Sequence, residues 1–248
     1  MRYFLEFSYD GSAYHGWQRQ PNALSVQEVM EHALGTLLKR ECSLVAAGRT
    51  DTGVHARQMF AHFDTDFTLN DQEQLLYQLN QFLPQDIAIQ NLREVKPEAH
   101  ARFDALSRTY QYQLVSTKTA FGNSYHYRIN QALDLDLMNK AAQLLLDYTD
   151  FECFSKTKTD VKTYLCDIRQ AKWNKIKNGY IFTITADRFL RNMVRAIVGT
   201  LIEIGLKKKN KEDLHRIIAS KNRSEAGYSV PAKALFLTKI EYPNSIFL

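Results

Sequence analysis

The sequence predicts an α+β fold with mainly antiparallel sheets, organised as two halves, residues 1–100 and 101–248. Three observations predict it. Strands that alternate apolar and polar residues are interleaved with helices whose apolar residues recur at three-four spacing. The second half repeats the theme of the first. Lys177-Asn178-Gly179 stands between two alternating runs, a strong hairpin signal that makes at least one strand pair antiparallel.

Each element follows in order. Residues 2–9 alternate as a strand. Residues 25–40 form a helix, with Val26, Val29, Met30, Ala33, Leu34, Leu37 and Leu38 on its apolar side. Ser25 is its N-cap, and Glu28 three residues on completes a capping box. Strands follow at 43–47 and 58–63. A second helix covers 70–82, with Leu75, Leu76, Leu79 and Phe82 on one face, and Leu83-Pro84 stops it. Residues 86–95 form a further strand, and 97–108 are the join. In the second half, 108–115 is a strand and 136–146 a helix burying Leu137, Ala141, Leu144 and Leu145. Strands 170–175 and 180–185 form the hairpin, 189–206 a long helix, and 235–242 the last strand, closed by Pro243.

Composition narrows the function classes. Of 248 residues, 45% are hydrophobic, which suits a soluble core, and no apolar run approaches a membrane span. The first residues carry Glu6 within their apolar stretch and lack a small-residue cleavage site, unlike a signal peptide. Cys42, Cys153 and Cys166 are odd in number and widely spaced, which argues against a disulfide framework or a zinc knuckle and for a cytoplasmic protein with reduced thiols. A net charge of +5 permits nucleic-acid binding without requiring it.

The chemistry concentrates in Gly48-Arg49-Thr50-Asp51-Thr52-Gly53-Val54-His55-Ala56. The string puts one carboxylate between two glycines, with a cation two residues before it. Read as strand, tight loop, strand, it holds Asp51 at the loop tip, exposed to a ligand. The alternative is a turn aspartate that only caps its own loop. Arg188, Arg191 and Arg195, if all on the long helix, fall within an arc of roughly 60°. That arc is either a solvated basic face or a source of charge for a site. Tyr14, His15, Trp17, Arg19 and Gln20 form an aromatic and polar cluster suited to unstacked RNA bases, or a packed turn anchored by Trp17. His55, His62, Asp51 and Asp64 show no ligand spacing, so no metal site is expected. The run Lys207-Lys208-Lys209 with Lys211 either offsets a helix C-terminus or touches phosphates.

The Gly48–Ala56 string resembles the signature of the tRNA pseudouridine synthase A (TruA) family. Other stretches resemble that family in the same order: Tyr9-Asp10-Gly11-Ser12-Ala13-Tyr14-His15-Gly16-Trp17-Gln18-Arg19-Gln20, Ser25-Val26-Gln27-Glu28, His100-Ala101-Arg102-Phe103, Arg108-Thr109-Tyr110, and Phe189-Leu190-Arg191-Asn192-Met193-Val194-Arg195 with Ile197-Val198-Gly199. Together they span nearly the whole chain.

The resemblance implies two ferredoxin-like (RRM-like) halves whose antiparallel sheets meet in a central cleft, the pseudouridine synthase fold. It implies an isomerase that converts uridine to pseudouridine in the anticodon stem-loop of tRNA, at conventional positions 38–40, with no metal or cofactor. It implies a homodimer. Asp51 is then the catalytic carboxylate, attacking C1′ or taking the C2′ proton. Arg195 is its ion-pair partner, and Arg49 helps swing the target base out of the stack. Tyr110 stacks on the uracil, and Leu235 packs near the base. Three positions depart from the family pattern: Thr52 replaces a common Ala, Ala234 a common Gly, and Lys162-Thr163 stands where many relatives carry an Arg.

Overall fold

The computed structural model describes residues 1–157 and 161–248, and the chain divides into two compact units. The first comprises Met1–Ser107 and Leu237–Leu248, the second Arg108–Phe236.

In the first unit the order is β1 (Arg2–Tyr9), α1 (Val26–Leu38), β2 (Val45–Ala46), β3 (His55–Asp64), α2 (Gln72–Phe82) and β4 (Ile87–Val95). The strands pair antiparallel in the order β4-β1-β3-β2. That is the ferredoxin-like path, in which each helix crosses between strands that are not sheet neighbours. Register explains the core. Leu5 lies opposite Ala61 and Leu92, and Phe7 opposite Met59 and Ile89, so one face of three strands is apolar. Tyr3, Leu5, Phe7 and Tyr9 on this face are all buried. The opposite face is covered at Phe4 by the rings of Tyr242 and Phe247, 5.3 and 6.2 Å away.

Both helices start as the sequence dictates. Ser25 Oγ accepts the Glu28 amide at 3.3 Å, and Asp71 caps α2 by accepting the Gln74 amide at 2.7 Å. The C-terminal segment is bound in by Ile240 N–H donating to Gln58 Oε1 at 2.8 Å and Tyr242 Oη–H donating to Ala101 O at 2.5 Å.

The second unit repeats the path: β5 (Ser107–Val115), β6 (Tyr127–Arg128), α3 (Leu135–Leu144), β7 (Ile168–Ile176), β8 (Gly179–Ala186), α4 (Met193–Gly205) and α5 (Lys211–Ser220). Its sheet order is β5-β8-β7, with both pairings antiparallel, and the short β6 lies parallel to β5. The final strand β9 (Leu235–Glu241) starts in this unit and passes into the first at Leu237. The β7–β8 hairpin turns on Lys177 and Asn178, with Ile176 opposite Gly179. Gly179 has a second reason to be glycine: a Cβ there would lie 2.0 Å from Leu114 O on β5.

Three expected elements need correction. The third helix buries Met138, Ala141 and Ala142, with Leu145 just beyond it, while Leu137 is exposed and Leu144 only partly buried. The long helix begins at Met193, not 189, because Asn192 adopts a left-handed φ of 67° and Leu190 O closes a turn with the Met193 amide at 3.1 Å. The lysine run continues into a helix, α5, capped reciprocally by Asn210 and Asp213, with Leu214, Ile217 and Ile218 buried.

No helix among the described residues is long and apolar enough to cross a membrane. The three cysteines are unpaired, and burial pushes the Cys153 and Cys166 thiols up to about 12.

Candidate active site

Asp51 sits between β2 and β3 of the first unit, in the turn that precedes His55. Its own carbonyl accepts the Val54 amide at 3.1 Å, which closes the loop. Gly53 takes the positive φ of 76° that this turn needs. Gly48 has no such role: its φ is not positive, and a Cβ there would meet nothing within 4 Å. Asp51 is partly exposed and Arg49 is exposed.

The N-terminal motif is a clamp on this loop. The Trp17 amide donates to Thr50 O at 3.3 Å, and the Gly53 amide to Tyr14 O at 3.4 Å. Tyr9 Oη and Thr50 Oγ1 share a buried hydrogen bond of 2.8 Å. Gly16, at φ 89°, lies so close that a Cβ would sit 2.4 Å from Thr50 O, and one on Gly11 would sit 2.1 Å from Val54 O. His55, buried behind the loop, places Nδ1 at 2.9 Å from Asp10 Oδ1 and 3.1 Å from the Gly11 amide.

The aromatic cluster resolves into the packed turn rather than a base platform for two of its rings. Trp17 is buried with its ring 5.3 Å from Phe7. Tyr14 is buried and donates its hydroxyl to Asp86 at 2.7 Å; burial and that carboxylate raise its pKa. His15, Gln18, Arg19 and Gln20 remain exposed. His62 is a core histidine on β3. Its Nδ1 accepts the Ala101 amide at 3.1 Å, and burial lowers its pKa to about 4.

Tyr110, Arg195 and Leu235 belong to the second unit. Tyr110 is on β5 opposite Ile184, partly exposed, with its ring edge-on to Phe189 at 5.2 Å. Tyr112, two residues on, is fully buried and donates to Pro231 O at 2.9 Å, so the two tyrosines of one strand face differ in environment. Arg195 is partly exposed in the first turn of α4, and its Nε donates to Val230 O at 2.7 Å. The Val230 amide returns a bond to Arg195 O at 3.3 Å. Leu235 is 5% exposed, behind the fully buried Ala234.

The three-arginine arc does not form. Arg188 and Arg191 precede α4, so only Arg195 of the set is helical. Arg188 is held outside by its amide on Asp187 Oδ1 at 2.7 Å. The lysine run serves helix ends and ion pairs: the Lys208 amide caps Glu203 O at 2.9 Å, while Lys207 pairs with Asp134 at 3.5 Å, Lys209 with Glu203 at 3.7 Å and Lys211 with Glu212 at 3.8 Å.

Sequence reasoning missed what holds Arg195. Asn192 Nδ2 and Arg223 Nη2 both donate to Ser229 Oγ, at 2.7 and 2.8 Å, and Arg223 Nη1 donates to Gly227 O at 3.0 Å. These bonds fix the 227–231 segment against α4, where a Cβ on Gly199 would lie 1.8 Å from Tyr228 O. The Gly199 within an otherwise apolar helix was the one visible signal of that close approach.

A family model described as tRNA pseudouridine synthase matches residues 7–104 and 141–243. The chain is 51% identical over 247 residues to a tRNA pseudouridine synthase A of Bacteroides fragilis, covering 99% of this chain and 98% of that protein. It is 51% identical over 249 residues to the protein of the same name in Bacteroides thetaiotaomicron, covering 99% and 92%. At greater distance, a tRNA pseudouridine synthase A of Clostridium acetobutylicum is 38% identical over 240 residues, covering 96% and 98%. With the signature loop, the clamp and both units matched at this level, the chain belongs to the tRNA pseudouridine synthase family.

Proposed function

We propose that this protein isomerises uridine to pseudouridine in the anticodon stem-loop of tRNA, at conventional positions 38–40, with Asp51 as the reacting carboxylate. The observation that carries the reading is Asp51 itself: a partly exposed carboxylate on a loop whose backbone is fixed on both sides, within a chain of this family. The reaction is an isomerisation. The N1–C1′ bond breaks with its electron pair on the uracil, the base turns, C5–C1′ forms, and the C5 proton is given up while N1 gains one. No oxidant, reductant or co-substrate enters the balance.

Asp51 either attacks C1′ or removes the C2′ proton, and in both roles it acts as the anion. Arg195 is the proposed counter-charge, and its guanidinium is already oriented by the Nε bond to Val230. Arg49, exposed on the same loop, is proposed to help extrude the base, a step that costs a few kcal/mol of unstacking. Tyr110 offers a partly open aromatic ring for stacking, and Leu235 is proposed to supply an apolar surface near the base. We further propose that the enzyme works in the cytoplasm as a homodimer, which light scattering on the purified protein would check by its mass.

The test follows the C5 proton. Transcripts of tRNA carrying tritium at uridine C5 should release label to water with the wild type and none with Asp51→Ala. Equal release from both would end the assignment of Asp51.

A further inference from the structure

We infer that Tyr9 and Thr50 are positioning residues for Asp51, acting through a buried hydroxyl pair; this rests on the reading of Asp51 as the reacting carboxylate. Thr50 is the residue immediately before Asp51 and is buried, as is Tyr9 at the end of β1. Their hydroxyls lie 2.8 Å apart. Two buried hydroxyls lose hydration that a mutual bond helps to restore, so their separation is held.

The same residue is fixed at its other end. Thr50 O accepts the Trp17 amide at 3.3 Å, and the contact surface of Gly16 closes over that oxygen. The Asp51 carbonyl is tied to the Val54 amide at 3.1 Å. The Cα of Asp51 is therefore anchored from both flanks, leaving only its side-chain torsions to set the carboxylate. The Thr50 side chain is the flank that involves no main-chain atom of its own, so it is the part a substitution can remove while the loop backbone stays bonded. A carboxylate that must reach one sugar carbon loses rate steeply with displacement, on the order of a hundredfold for about 1 Å. Binding of the tRNA, spread over many phosphates, does not depend on that displacement.

The experiment is single-turnover kinetics on an unmodified tRNA transcript, with affinity and thermal unfolding measured on the same preparations. Tyr9→Phe and Thr50→Val should each slow the chemical step by roughly tenfold or more, with tRNA affinity within about twofold. Thr50→Ser, which keeps the hydroxyl, should restore most of the rate. The double variant Tyr9→Phe/Thr50→Val should be no slower than the slower single, because one bond is removed in each case. Wild-type rates in Tyr9→Phe and Thr50→Val, beside an inactive Asp51→Asn, would overturn the positioning role and leave Asp51 standing. A Thr50→Ser as slow as Thr50→Val, or rate losses that only track loss of folded protein, would also overturn it. An Asp51→Asn as fast as the wild type would remove the reading on which the inference rests.

Discussion

Gly16→Ala isolates the clamp. Gly16 has φ 89°, and the new Cβ would stand 2.4 Å from Thr50 O and 3.1 Å from the Asp51 carbonyl carbon. Holding alanine in left-handed backbone costs about 1–2 kcal/mol. Relieving a contact that short requires the backbone of one loop to move, an overpacking cost of about 1–3 kcal/mol. The sum is about 2–5 kcal/mol. At about 2–4 °C per kcal/mol for a chain of this size, the melting temperature should fall by roughly 4–20 °C. Gly48→Ala is the internal control, since its Cβ meets nothing within 4 Å and its φ is not positive. It should melt within about 1 °C of the wild type, because no clash or strained φ is introduced. Differential scanning calorimetry gives both values, and turnover at a temperature where all three proteins are folded gives the consequence for Asp51. Gly16→Ala should also lose turnover. If Gly16→Ala melts with the wild type, or if Gly48→Ala falls as far as Gly16→Ala, the clamp is not what holds the loop.

Further outcomes follow from the same geometry. Tyr110→Ala should weaken the productive tRNA complex by about 1–3 kcal/mol, the worth of one base–aromatic stack, whereas Tyr110→Phe should retain it; equal losses in both would replace stacking by a role for the hydroxyl. The His62 pKa is depressed by burial from 6.5 to about 4 in the folded chain. Its stabilising effect is therefore complete above pH 6.5 and is lost as pH falls through 6.5 towards about 4. Urea unfolding should show lower stability at pH 5 than at pH 7, with a shallower drop in His62→Asn, whose amide oxygen can accept the Ala101 amide; equal drops would remove His62 as the cause. Three of the four lysines at 207, 208, 209 and 211 already face carboxylates. Replacing all four with Ala should lower the slope of log K for tRNA against log salt by less than about 1, and a drop near 3 would mean the pairs open to phosphates.

Local pattern made much of this molecule legible. The Ser25 N-cap of α1, the α2 boundary at Leu83, the β7–β8 hairpin and the turn at Asp51 all depend on residues a few positions apart, where spacing carries the physics. The failures are equally local in origin. A periodic run from 189 to 206 read as one helix because Asn192 is compatible with a helix in sequence and left-handed in place. Lys-rich composition hid α5, although Leu214, Ile217 and Ile218 stood at three-four spacing behind an Asn210–Asp213 capping box. Tyr9 with Thr50, and Ser229 with Asn192 and Arg223, are contacts across 41, 37 and 6 positions, and no periodicity announces them. The Asp51 loop could be placed from one short string; the bonds that hold it could not.

The most direct test of the central claim is pseudouridine mapping on unmodified tRNA transcripts incubated with wild type and Asp51→Ala. The account predicts new pseudouridine in the anticodon arm with the wild type and none with the variant. Pseudouridine formed equally by both, or absent with a folded wild type that binds tRNA, would contradict it.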